Sequence, residues 1–208
     1  MQETRHLSTY KEGLKSQILQ FAMKMFAKQG IRAVKMDDVA SSLAISKRTL
    51  YELYENKELL LLEGMKLHHR QRSDQVEKMV AGCENVMEIM LKMYRMKVEE
   101  FRQTNPAFYS DIKRFPLVMQ YLEQENVKSR SKFQQFIERG VREGYFRSEL
   151  NYGLVERLFD VMGRHIMESQ LYRDYTIEDI FLSFIFISLR GLCTEKGVTA
   201  LDNMLNKK

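Results

Sequence analysis

Five side chains suited to contacting a polyanion occur close together in the sequence, at Lys47, Arg48, Thr49, Tyr51 and Lys57. Lysine and arginine pair with phosphate groups and with the edge of guanine, and arginine can do so through two parallel hydrogen bonds. Hydroxyl and phenol groups donate to phosphate oxygens. These residue types indicate binding to nucleic acid, provided that the fold presents them on one surface.

Enzymatic chemistry has no comparable set of residues. The four histidines have no spacing that would gather them, because neighbours on a helix diverge by about 100°. The sequence contains no His-Glu-x-x-His zinc motif, paired-cysteine site, glycine-rich phosphate loop or nucleophile elbow. It therefore predicts no catalytic site, no metal site and no cofactor.

The composition is that of a globular helical protein. Hydrophobic residues make up 44% and charged residues 29% of the 208 positions, with only two prolines and ten glycines. The net charge is +5, and the first 60 residues hold ten basic against seven acidic side chains. A basic excess permits nucleic acid or an anionic membrane surface as partner.

Cysteine use and hydropathy predict a cytoplasmic protein without a membrane partner. Cys83 and Cys193 are isolated, as is typical of reduced cysteines inside the cell. The most apolar run, residues 180–189, is ten residues long, whereas a membrane span needs about 20. This run is predicted to be a buried helix.

A helix-turn-helix is predicted around the cationic side chains. One short helix is expected over residues 36–43, a turn at Ala44-Ile45, and a second helix over 47–53 that Ser46 caps. The apolar residues that can face inward and hold the two helices together are Val39, Ala40, Leu43, Ile45 and Leu50. A helix of this size fits the major groove of DNA. On this pattern alone, an ordinary helical hairpin with a solvated, charged face is an equal alternative.

Helices are predicted for most of the remaining chain. Gly30 is expected to end the first long helix in a left-handed conformation, and Asn56 to cap a helix over 57–80. Further helices are predicted over residues 84–103, 106–114, 116–140, 151–172 and 176–195.

The string VASSLAISKRTLYELYENKELL, residues 39–60, resembles the DNA-binding domain of the tetracycline-repressor (TetR) family. The matching positions are Val39-Ala40, Ile45-Ser46, Thr49-Leu50-Tyr51 and Lys57-Glu58. The close resemblance covers about residues 10–65.

Three positions depart from the family pattern. Ala44 stands where the turn usually has glycine, Lys35 where a threonine or serine caps the first motif helix, and Tyr54 where phenylalanine is commoner. Alanine at the turn costs about 1 kcal/mol only if its φ is positive. Lys35 should weaken the cap by a similar order while adding a cation.

The resemblance implies an all-α fold with a three-helix DNA-binding domain at residues 1–56. A larger helical domain for effector binding and dimerisation is expected at 57–208, joined to the first by the helix over 57–80. The resemblance implies base contacts from Lys47 and Arg48. It also implies contacts to DNA phosphates from three residues, namely Thr49, Tyr51 and Lys57.

The expected function is transcription regulation. The chain is expected to be a repressor that leaves a palindromic operator on double-stranded DNA when a small, largely apolar effector binds. The residues do not decide between repression and activation.

The last long helix is predicted to pair with a second copy of the chain. Its apolar residues surround nearly every side, and a helix of that kind must be buried all round. The resemblance likewise implies that the last two long helices of each subunit form a four-helix interface. The candidate interface residues are Leu158, Phe159, Met162, Phe181, Phe184, Ile185 and Ser188. The alternative is an interior helix of a monomer.

The middle helices are rich in methionine and aromatic residues. Such side chains either fill an ordinary core or line an apolar effector pocket. The resemblance favours a pocket in this region without identifying its residues. The candidates are Met90, Tyr94, Phe108, Tyr109, Phe133 and His165.

Overall fold

The computed structural model describes residues 2–206, and the side chains of residues 11–203. Residues 2–206 form helices joined by loops, with no β-strand, which confirms the all-α prediction. The helices are α1 (Gln2–Gln29), α2 (Met36–Ser42), α3 (Lys47–Leu53), α4 (Lys57–Ala81), α5 (Val86–Gln103), α6 (Pro106–Ile112), α7 (Pro116–Arg142), α8 (Tyr152–Glu168), α9 (Ile177–Ile180), α10 (Ile187–Leu192) and α11 (Glu195–Asn206). A 3₁₀ turn at Leu171–Arg173 precedes α9, and a π-helical segment at Phe181–Phe186 joins α9 to α10.

The chain divides into two compact units. The first comprises the residues up to Ser73 together with Gln103–Glu123, and the second comprises Asp74–Arg102 and the chain from Gln124 onward. The first unit therefore contains α1, α2, α3 and α6.

One apolar core holds the helices of the first unit. Ile18, Ala22 and Phe26 form the buried stripe of α1, and they pack in the same cluster as Val39 of α2 and Leu50 of α3. All five are buried to 1% exposure or less. Each fully buried large apolar side chain contributes about 1.5–3 kcal/mol. Because α2 and α3 share this core with α1, the angle between the two short helices is set by packing.

The predicted helix ends at Ser46, Asn56 and Gly30 are confirmed. The Ser46 hydroxyl accepts a hydrogen bond from the backbone N–H of Thr49 at 3.0 Å, and the Asn56 side chain accepts one from Leu59 at 2.9 Å. Gly30 has a φ of +86° and its N–H donates to the carbonyl of Phe26 at 2.9 Å. These caps depend on neighbouring residues only, which is why the sequence predicts them.

The cap of α2 works through Asp38 instead of Lys35. A lysine side chain has no acceptor for the first N–H groups of a helix. The Asp38 carboxylate reaches back and accepts a hydrogen bond from the backbone N–H of Lys35 at 2.7 Å. Half of a capping box therefore replaces the usual serine or threonine cap.

The second unit has its own core. Val86 and Met87 of α5 meet Ile137 of α7, Phe186 of the π-helical segment and Leu201 of α11. Arg139 fastens the start of α5, because its guanidinium donates to the carbonyls of Cys83 and Glu84 at 3.1 and 3.0 Å.

The predicted helix over 176–195 differs most from the structure. It is interrupted by the π-helical segment and ends at Leu192, where Cys193 turns to an extended conformation and forms an isolated antiparallel bridge with Phe146. The helix α11 that follows was not predicted. The bridge partner lies far away in the sequence, so no local pattern signals this break.

Ala44 lies in the turn of the helix-turn-helix with a φ of +53°. An L-residue in this left-handed region is strained by about 1–2 kcal/mol, whereas glycine adopts it freely. We expect Ala44→Gly to raise the free energy of unfolding by about 1 kcal/mol and Tm by about 2–4 °C. Urea and thermal unfolding followed by circular dichroism measure both.

Ala33→Gly is the matched control for this substitution. Ala33 is exposed in the loop before α2, and its φ is not positive. Glycine there should lower stability by adding freedom to the unfolded chain. Equal losses of stability in the two variants would contradict the strain at Ala44.

Candidate DNA-binding surface

Helix α3 has one buried and one exposed face. Leu50 has no exposed surface, whereas Tyr51 is 46% exposed and the Arg48 side chain is 88% exposed. Lys47 is exposed beside them, and Thr49 is half-buried. The structure therefore brings four of the five predicted contact residues onto one short helix whose opposite face is fixed in the core.

Lys47 pairs with Asp37 at the start of α2. Its ammonium donates to the Asp37 carboxylate at 2.5 Å. This hydrogen bond, together with the charge of Asp37, raises the pKa of Lys47. Lys47 is therefore a cation at physiological pH, held across the two helices of the motif.

Arg48 pairs with Glu52 on the same helix. The Nε of Arg48 donates to Oε1 of Glu52 at 2.7 Å. The carboxylate raises the pKa of Arg48 through this hydrogen bond and its charge.

Thr49 and Tyr51 present hydroxyl groups. The Thr49 hydroxyl lies 2.7 Å from the Ser46 hydroxyl, in the cap of α3. The Tyr51 phenol lies on the exposed face.

Lys57 lies apart from the α3 surface. Its ammonium donates to the backbone carbonyls of Ile31 and Val34 at 2.8 and 2.6 Å. Burial lowers the pKa of Lys57, opposed by the charges of Asp111 and Asp38. The side chain therefore fastens the loop between α1 and α2. Sequence reasoning missed this role because the acceptors are backbone atoms remote in sequence.

Residues around α6 fasten the same loop. The buried carboxylate of Asp111 accepts a hydrogen bond from the backbone N–H of Arg32 at 2.8 Å. Just before α6, the N–H of Asn105 donates to the carbonyl of Ala27 at 2.7 Å. Gly30 has no Cβ, and one added there would lie only 2.8 Å from the Cβ of Ala107. Close approach, as well as positive φ, therefore requires glycine at position 30.

Tyr54 ends α3 and is 6% exposed. Its hydroxyl donates to the carbonyl of Lys15 at 3.4 Å. Burial, with a contribution from Glu63, raises the pKa of Tyr54 to about 12. The ring takes the place of the commoner phenylalanine, and the hydroxyl stays neutral at physiological pH.

Comparison with known proteins identifies the family. Residues 18–63, which contain the whole of α2 and α3, match the family described as bacterial regulatory proteins, tetR family. The HTH-type transcriptional repressor KstR2 of Mycobacterium tuberculosis is 26% identical over 193 residues, which cover 88% of this chain and 94% of that protein. Residues 18–63 of this chain therefore form a DNA-binding domain of the TetR type. The chain is a DNA-binding transcription regulator and not an enzyme.

Solved structures share the fold. The ketosteroid transcriptional regulator KstR2 of Mycobacterium tuberculosis superposes with a TM-score of 0.58 at 24% identity, over 87% of this chain and 95% of that one. A transcriptional regulator from Saccharomonospora viridis, solved in complex with choline, gives a TM-score of 0.62 at 17% identity, over 72% and 81% of the two chains.

The six effector-pocket candidates lie in three places. Phe108 and Tyr109 pack in the core of the first unit, with their ring centroids 5.7 Å apart. Met90, Tyr94 and Phe133 pack against the core of the second unit. His165 lines a cavity in the second unit. The structure therefore divides the six between the two units.

The cavity that contains His165 has a volume of about 300 Å³. It lies between α8, the 3₁₀ turn, α9 and the π-helical segment. Its lining is mainly apolar and includes Met162, Ile166, Leu171, Tyr175 and Phe184, with Asp179 and Ser183 as polar groups.

The predicted interface residues fall into two groups. Leu158 and Phe184 are exposed, whereas the other five are half-buried within the single chain, namely Phe159, Met162, Phe181, Ile185 and Ser188. Phe181 packs inward on Tyr94, with ring centroids 5.3 Å apart. The expectation that the last long helix is buried on every side is not met within one chain, because Leu182 and Ile187 are also exposed.

Across residues 2–206, no helix is both long enough and apolar enough to cross a membrane. The described side chains include no group of three or more histidine, cysteine, aspartate or glutamate residues that could hold a metal ion.

Proposed function

We propose that this protein is a homodimeric repressor that holds a palindromic operator through α3 and leaves it when a small, largely apolar effector binds the second unit. The observation that carries the proposal is the exposed face of α3. Lys47, Arg48 and Tyr51 project from a helix whose other face is fixed by Leu50. A recognition helix of this kind reads base edges in the major groove.

The proposed DNA contacts divide into two kinds. Lys47 and Arg48 contact base edges, where each well-placed arginine contact to guanine contributes about 1–3 kcal/mol of discrimination. The hydroxyls of Thr49 and Tyr51 contact phosphates, which position the helix without reading sequence. Lys57, for which a phosphate contact is also predicted, donates to two carbonyls here, and this arrangement favours an indirect role.

DNA binding should depend steeply on salt. A dimer that makes about ten phosphate contacts releases as many counterions, so its affinity should fall roughly 10³–10⁵-fold between 50 and 200 mM salt. The measurement is an electrophoretic shift or anisotropy titration at several salt concentrations, with duplex DNA from around the protein's own gene. A flat response to salt would contradict the proposal.

Lys57→Met tests how Lys57 acts. If Lys57 holds the loop between α1 and α2, the variant binds every sequence more weakly but keeps the salt slope of the wild type. If Lys57 contacts a phosphate in each subunit, the slope becomes shallower by about 1.8. The two carbonyl contacts lead us to expect an unchanged slope.

Dimerisation is proposed through α8 and the segment from α9 to α10. Leu154, Leu158 and Val161 lie on one face of α8 at helical spacing, and each is more than half exposed. Ile187 at the start of α10 is 65% exposed. Apolar area of this kind on two neighbouring elements is suited to a second copy of the chain, and a two-fold dimer matches a palindrome.

We expect Ile187→Glu to shift the protein from dimer to monomer, because the interface would then bury unpaired carboxylates. Light scattering after size exclusion measures the mass. Val127→Glu is the control, since Val127 is 59% exposed on α7 and lies outside the proposed interface. A wild type with the mass of one chain would contradict the dimer.

The cavity beside His165 is the proposed effector site. Its volume of about 300 Å³ is at the lower end of the range for small-molecule sites, and its few polar groups can orient a mainly apolar ligand. The names of similar regulators mention a ketosteroid and choline, which supports small-molecule control here. An effector releases DNA if it binds more tightly to the conformation that does not fit the operator.

We expect Ile166→Trp, which fills part of this cavity, to abolish the response to an effector while leaving DNA binding without effector intact. A thermal-shift screen of apolar small molecules identifies ligands that raise Tm, and each is then tested for loss of DNA affinity. The effector proposal fails if no compound changes both quantities, or if the variant responds like the wild type.

A further inference from the structure

Arg48 and Glu52 form a pair within one helix. Residue 52 follows residue 48 by one turn of α3, so the carboxylate lies against the guanidinium without any contribution from another element. Lys47 is different, because its partner Asp37 lies on α2. The Arg48–Glu52 pair therefore enters a groove as one unit with the helix that carries it.

The contact uses a particular edge of the guanidinium. Glu52 accepts from Nε of Arg48 at 2.7 Å, which is the donor nearest the aliphatic stem. This contact leaves the two Nη groups at the outer end available to donate to another acceptor. An arginine that reads guanine end-on uses those two groups, one to O6 and the other to N7.

Holding Nε has two physical consequences. It removes rotamer freedom before binding, so less entropy is lost when the outer edge meets a base. It also places a carboxylate beside the arginine, which repels phosphates and weakens sequence-independent attraction to DNA. Both effects raise the affinity for a site with the preferred base relative to the sequence-independent affinity for DNA.

We infer that Glu52 is a specificity-determining residue that positions the guanidinium of Arg48 to read a guanine in each half of the operator. This inference rests on the proposed function, in which α3 enters the major groove. Glu52 itself acts through Arg48 and makes no base contact in this mechanism.

The test starts from a random library of duplex DNA. Rounds of selection with the full-length wild-type protein, followed by sequencing, give its preferred site. We expect a guanine at symmetry-related positions of that site. Competition titrations then compare this duplex with one in which each such G·C pair is A·T, and with one carrying 7-deazaguanine, which lacks the N7 acceptor.

Four variants are measured beside the wild type. The wild type should prefer guanine by roughly 5- to 150-fold. Arg48→Lys should lose most of that preference. Glu52→Ala should reduce it by about 2- to 5-fold, because an exposed pair within one helix is a weak restraint, and it should also bind unrelated duplex DNA more tightly. Glu52→Gln, which keeps an acceptor for Nε but not the charge, should lie between Glu52→Ala and the wild type.

The matched control is Glu55→Ala, which removes the same charge from an exposed residue beyond the end of α3. It should change the affinity for all duplexes alike and keep the preference for guanine.

The outcomes separate the inference from the proposed function. If selection enriches no sequence, the proposed function fails. If Arg48→Lys loses the preference but Glu52→Ala keeps it, Arg48 reads the base unaided and the inference is overturned. If neither variant changes the preference, another residue reads the base, and the inference is again overturned while DNA binding stands.

Discussion

Burial of Leu50 in the core of the first unit is the constraint on which the DNA-binding surface depends. Leu50 is the buried anchor of a seven-residue helix, and a helix this short is not stable by itself in water. Packing with Val39 and Phe26 gives α3 its position, and that position leaves Lys47, Arg48 and Tyr51 exposed. The exposed face is therefore a consequence of what the opposite face buries.

Three cations near this surface are held by nearby acceptors. Asp37 holds Lys47, Glu52 holds Arg48, and the carbonyls of Ile31 and Val34 hold Lys57. Exposed ion pairs such as the first two contribute little to stability. Their effect is on geometry, because a long side chain held in one conformation has less freedom to lose on binding. Asp37 and Glu52 also offset part of the positive charge, which is one reason why the basic excess of the first 60 residues is modest.

The sequence predicted well what neighbouring residues decide. The caps at Ser46 and Asn56, the left-handed Gly30 and the bounds of α3 depend on a few adjacent positions. The strained Ala44 was visible as a departure from glycine, but its φ of +53° came only from the structure. The π-helical segment was missed because an apolar run such as residues 180–189 looks the same in either kind of helix. The break at Cys193 that separates α10 from α11 was missed because its bridge partner, Phe146, is remote in the sequence.

The sequence by itself determined an all-helical chain with a helix-turn-helix that resembles the one of the TetR family, because the string over residues 39–60 combines an apolar pattern with caps and cations at fixed spacing. The tertiary structure alone showed that Lys57 faces two backbone carbonyls, that Asp111 fastens the loop between α1 and α2, and that the six pocket candidates are divided between the two units. The physical reason is the range of the interactions. Caps and amphipathic stripes act within one or two helical turns, whereas these contacts join residues that only the folded chain brings together.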